Sequence, residues 1–178
     1  MPEPWRIAII DSGVDREPRL HVLQQQKFVG DGARVTQTPS TGDLTGHGTT
    51  IATIIASAPT FVELISAQVL NAHGRSTAAT VAAALSWSLT QRATLIHLSL
   101  GLSQDRSVLA ERIAQAIDSG VIIVASSPAR GARTFPTSYP GVIRATGDAR
   151  CALEEISHLN TTSAHFGACV RHTRPDSR

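Results

Sequence analysis

A chain of 178 residues with 42% hydrophobic and 17% charged residues is long enough to bury a sizeable core and too apolar to be disordered over most of its length. Its formal charge is only +2 and its sixteen Lys and Arg are dispersed, with Lys27 the single lysine, which excludes a basic nucleic-acid footprint. No stretch is apolar for long enough to span a membrane, and MPEPWRIAII lacks a signal-type pattern, so the expected setting is cytoplasmic, with Cys151 and Cys169 as reduced thiols.

WRIAII (5–10) is a short apolar run ending in Asp11 and Gly13, which predicts a buried strand and a turn. Residues 15–46 hold Pro18, Pro39 and the polar QQQK tract, and read as the longest irregular region, with a short strand near Phe28–Val29. TTIATIIAS (49–57) predicts a helix capped by Thr49 and Thr50 and closed by Pro59. FVELISAQVL (61–70) reads as a strand, and NAHGRS turns the chain into a helix over 76–92, with Ser76 as its cap.

A strand over 93–100 breaks at Gly101, and the helix SVLAERIAQAIDS (107–119) stops at Gly120. VIIVAS (121–126) is a strand, 127–140 a Pro/Gly/Arg loop, and 141–149 and HFGACV (165–170) are further strands; the end, RHTRPDSR, is a polar tail. Strands alternating with helices predict one α/β domain over 1–178, a three-layer fold with a mainly parallel sheet and helices on both faces. Ligands of such sheets gather at the carboxyl ends of strands, where Asp11, Ser99 and Ser126 fall.

One side chain stands apart. Gly46-His47-Gly48 isolates an imidazole between two glycines at the head of a helix, where the dipole favours the neutral ring that a general base needs. Asp11, at a strand end, is suited to fix the imidazole tautomer and to stabilise its protonated form. The same two residues also suit a bland turn and a loop histidine, so the pairing rather than either residue carries the signal.

IAIIDSGVD, DLTGHGTTIA, LIHLSLG, SGVIIVAS and TSYPGVIRATGDA, in that order, resemble the successive motifs of the subtilase family of serine peptidases. The resemblance implies a subtilisin-like fold and endopeptidase activity on a peptide or protein, without a cofactor. It implies Asp11 and His47 as two members of an Asp-His-Ser triad, Asp43 as the accompanying loop acid, and Ser99, Leu100, Gly101, Ala125 and Ser126 as the substrate-binding edge. Backbone groups at such an edge hold an extended peptide as an added strand. A narrower resemblance, in the compact start and the GDARC…HFGAC ending, is to small intracellular subtilisin-like proteases that mature peptide-modified enzymes such as quinohemoprotein amine dehydrogenase.

Departures from the family pattern are equally visible. No Gly-Thr-Ser-like turn heading an apolar helix is found; Ser163, in NTTSAHFGA, is the nearest string and is followed by no such helix. The family's nucleophile segment therefore reads as missing from the C-terminal side. Pro128-Ala129 replaces the Gly-Asn that helps to stabilise the oxyanion, Arg130 and Arg133 follow, and Thr50 and Thr53 stand where the family often has His and Gly. No acidic cluster with calcium-type spacing is present, so no metal is assigned. Two readings follow: a subtilisin-like serine endopeptidase, and a non-catalytic peptide-binding module on the same fold. A third reading, a nucleotide-binding α/β protein, is poor, since DSGVD is neither GxGxxG nor a Walker loop.

Overall fold

The computed structural model describes residues 4–31, 34–128 and 133–170. In chain order the elements are β1 (Trp5–Asp11), β2 (Val22–Gly30), β3 (Val35–Pro39), α1 (His47–Ala56), β4 (Val62–Gln68), α2 (Ala78–Thr90), β5 (Leu95–Leu98), α3 (Ser107–Asp118), β6 (Ile122–Ser126), β7 (Ile143–Gly147), β8 (Ile156–His158) and β9 (Phe166–Ala168). They form one sheet in the order β3-β2-β4-β1-β5-β6-β7-β9-β8, parallel throughout except for the β2–β3 and β8–β9 pairs at its margins.

Alternation along β1 builds the two faces. Ala8 and Ile10 join the larger core, formed with Val81, Ala84 and Leu85 of α2 and Leu109, Ile113 and Ala116 of α3. Ile7 and Ile9 point the other way, into a smaller core closed by Ala52 of α1 with Val62 and Leu64 of β4. A strand buried on both sides reads as a continuous apolar run, which is why WRIAII was legible. The three-layer, mainly parallel α/β architecture expected from the sequence is what the structure has.

Residues 15–46 depart from expectation. They contain the nine-residue β2 and the five-residue β3 rather than a mostly irregular chain. Only Phe28 of β2 is buried, packing edge-on against Trp87 of α2 at 5.8 Å, so hydrophobic alternation is missing and the strand is held by its ladder to β4. The expected helix caps also move. Thr77, not Ser76, caps α2, its hydroxyl accepting from the Thr80 amide, and the Ser76 hydroxyl is buried without a partner. The short β8 was not anticipated, and the tail 171–178 lies outside the described residues.

Candidate active site

Asp11 closes β1 at the centre of the sheet, paired with Gln68 of β4 on one side, while β5 runs along the other. The order of strands turns back on itself here, which opens a crevice beyond the strand ends. The Asp11 side chain is only 1% exposed and accepts a hydrogen bond from the Ser12 amide at 2.7 Å. His47 is the first residue of α1, and its Nδ1 lies 2.8 and 2.9 Å from the two Asp11 oxygens. A carboxylate accepts, so Nδ1 carries the proton and Nε2 keeps its lone pair. Half of the His47 side chain is open to solvent. The sequence pairing is met in space.

The start of α1 explains how the ring is aimed. Gly46 precedes it with φ +77°, a left-handed conformation suited to glycine. Thr49 and Thr50 do not cap the helix, contrary to expectation. Asp43 does that work from the preceding loop: Oδ1 accepts from the Thr45 and Gly46 amides at 3.0 and 2.9 Å, and Oδ2 from the Thr49 amide at 2.7 Å. The Thr50 and Thr53 hydroxyls instead bond back to the carbonyls of Gly46 and Thr49. Burial pushes the Asp43 carboxyl up, but the Ser12 hydroxyl at 2.6 Å and these amides outweigh it and hold the group below its ordinary value.

The glycine after His47 serves close packing. A Cβ on Gly48 would stand 2.0 Å from the Gly13 carbonyl oxygen, and one on Gly13, where φ is +112°, would stand 2.3 Å from the Gly42 carbonyl oxygen. Three backbone segments therefore touch directly beside the Asp11–His47 pair. The Gly48 amide donates to the Ser12 hydroxyl at 3.1 Å, which donates onward to Asp43. Gln68, fully buried at the end of β4, donates to the Ser12 and Gly42 carbonyls and accepts from the Thr41 amide. It fixes the loop that carries Asp43. Sequence reasoning missed Gln68; a polar residue closing an otherwise apolar strand was its signal.

His97 was also missed. It lies on β5 opposite Ile9, and its Nδ1 is buried without a hydrogen-bond partner. Burial pushes its ring below the ordinary imidazole range; Asp11 opposes that shift and His47 adds to it, so the three groups sense one another. The neutral ring is the form that fits such a place.

Ser99, Leu100 and Gly101 continue beyond β5, which ends at Leu98 rather than at residue 100. Among the described residues their backbone groups take part in no turn or loop hydrogen bond, which leaves them open to an extended chain. Immediately after them Leu102 pairs antiparallel with Phe135, by bonds of 2.7 and 2.9 Å, and fixes this run against the loop before β7. The Ser99 and Ser126 hydroxyls are 3.3 Å apart, so the ends of β5 and β6 meet. The Leu100 and Ala125 side chains are both packed into the larger core.

Among the described residues no serine hydroxyl is hydrogen-bonded to His47. Ser163 lies elsewhere, beyond the ends of β6 and β7, where its carbonyl accepts from the Ser127 hydroxyl at 2.7 Å. Ala129 and Arg130, at and after the expected oxyanion position, lie outside the described residues. No group of three or more His, Cys, Asp or Glu able to hold a metal occurs among the described residues, and no helix there is long and apolar enough to cross a membrane.

The family model described as "Subtilase family" matches residues 5–171. The chain belongs to the subtilase family. Subtilisin BL from Lederbergia lenta is 32% identical over 145 residues, covering 76% of this chain and 51% of that protein. Subtilisin Savinase from the same species is 31% identical over the same shares. A thermostable alkaline protease from Halalkalibacterium halodurans is 28% identical over 78% of this chain and 40% of its own length. This subtilase chain thus spans about half, or less, of these relatives.

Proposed function

We propose that this subtilase chain supplies the general base, its orienting carboxylate and the substrate-holding edge of a subtilisin-like serine endopeptidase. The observation that carries the reading is the contact of His47 Nδ1 with both Asp11 oxygens at 2.8–2.9 Å in a half-open site. In that geometry Nε2 takes the proton of a serine hydroxyl as it attacks the scissile carbonyl, and the buried carboxylate stabilises the imidazolium that forms. Returning the proton to the leaving amine expels it as the C–N bond breaks and leaves the acyl-enzyme, and the same nitrogen then activates water. A peptide lying along Ser99–Gly101 is held by its main chain, largely irrespective of its sequence.

Intracellular maturation of a modified enzyme is the narrower form of this proposal, supported by the GDARC…HFGAC resemblance. The second reading, a peptide-binding module without hydrolysis, is favoured by one observation: among the described residues no serine is bonded to His47. A fluorophosphonate probe, which labels only a base-activated serine, tests the two. It is applied to the 178-residue chain and to the complete product of the encoding frame. Labelling that disappears in His47→Ala supports the peptidase. No labelling of either product, with peptide binding retained, overturns it in favour of the binding module.

A further inference from the structure

Beyond the ends of β6 and β7 lies a cleft of about 440 Å³ lined by Ser127, Pro128, Arg133, Thr134, Thr137, Ser138, Arg144, Thr162 and Ser163. Its described lining contains six hydroxyl groups, Ser127's included, two guanidinium groups and no carboxylate. Arg144 is half-buried and forms no ion pair among the described residues; one of its terminal nitrogens donates to His165 Nε2 at 2.7 Å, while its Nε is buried without any partner. Burial and the Arg144 charge both keep His165 below the ordinary imidazole range, so the ring accepts from Arg144 and does not neutralise it. A half-buried cation with an orphaned donor and no counter-charge is costly unless an anion completes it.

The cleft adjoins the edge assigned to substrate. Thr134 lies directly against Gly101, whose added Cβ would meet the Thr134 side chain at 3.5 Å. The Leu102–Phe135 pairing locks the two segments together. The Thr134 hydroxyl is shared with Thr137 at 3.0 Å, which orders that wall, and the Thr162 and Ser163 hydroxyls make no hydrogen bond among the described residues.

We propose that this cleft takes the carboxylate side chain of an acidic residue in the peptide held along Ser99–Gly101, with Arg144 and Arg133 as its charge partners and the Thr162 and Ser163 hydroxyls as further donors. The inference rests on the peptide-edge reading above and adds a substrate class to it. Charge-assisted bonds from guanidinium to carboxylate are both strong and directional, whereas a glutamine of the same shape offers no charge.

The test is equilibrium binding of two end-blocked, fluorescently tagged peptides to the full chain, identical except for a central Glu or Gln. With the termini blocked, the side chain is the only carboxylate. The expected result is binding of the Glu peptide about tenfold tighter, a difference that shrinks in Arg133→Gln and disappears in Arg144→Gln. Arg133 is exposed, so its variant keeps the test decisive if loss of Arg144 disturbs folding. Equal binding of the two peptides overturns the acidic preference and leaves the edge reading standing. Binding of neither peptide overturns both.

Discussion

The Asp11–His47 pair works because the two residues reach one another from elements that cannot move independently. Replacing Asp11 by Asn keeps the volume but offers an amide to Nδ1, which favours the wrong tautomer. In the catalytically competent protein kcat is expected to fall on the order of 10⁴-fold, with an unchanged circular-dichroism melt showing that the fold persists. Gly48→Ala acts in the opposite manner. Its Cβ would meet the Gly13 carbonyl oxygen at 2.0 Å, so backbone must shift beside the carboxylate. A loss of about 2–4 kcal/mol in denaturant unfolding is expected, together with loss of the His47–Asp11 hydrogen-bonded proton from the low-field NMR spectrum. Both residues were legible because chemistry restricts what stands there. Gln68 and His97 were not, because nothing local to a strand reveals which loop or ring it will face.

At the scale of the element, α1 shows where reading a sequence succeeds and where it stops. The apolar residues Ile51, Ile54 and Ile55 mark the helix; Ile51 and Ile55 pack with Ala52 into the smaller core with β1 and β4, whereas Ile54 stays exposed. Its N-terminus was misplaced because the acceptor for its free amides is a side chain four residues before the helix, Asp43, joined through a glycine in left-handed conformation. Asp43→Ala removes one acceptor from three amides and from the Ser12 hydroxyl. Calorimetry is expected to show a destabilisation of about 2 kcal/mol, and amide exchange a selective loosening of residues 45–49. The hidden strand β2 has a similar origin: its polar QQQK tract sits near the sheet margin, where hydrogen bonding to β4 decides the conformation and side-chain pattern does not.

The whole molecule should respond to acid in two stages. His97 and His165 are both held below the ordinary imidazole range, the first chiefly by burial and the second by burial and Arg144. Their folded pKa values lie under the unfolded ones, so the unfolded chain binds more protons as pH falls from about 6.5. Stability therefore declines across that window. Below the ordinary carboxyl value a second decline follows. Asp43 is held low by the bonds that overcome its burial, and Asp148 is held well below the carboxylate range by the Arg150 side chain and amide and the Ser157 hydroxyl. These groups stabilise above the unfolded pKa and lose that contribution as they protonate. Urea midpoints between pH 8 and pH 3 are expected to show both steps, with the upper one reduced in His97→Asn.

The contact between Gly48 and the Gly13 carbonyl has a further meaning for how the protein ages under heat. Because a Cβ on Gly13 or Gly48 would collide with backbone, the turn after β1, the loop before α1 and the first turn of α1 are keyed together, with the Ser12 hydroxyl and Asp43 bridging them. None of the three can open while the others stay shut. The site therefore has no shallow, private mode of failure: it is kept or lost with the central strand itself, and amides at Ser12 and Gly48 should exchange with solvent only as fast as that strand comes apart.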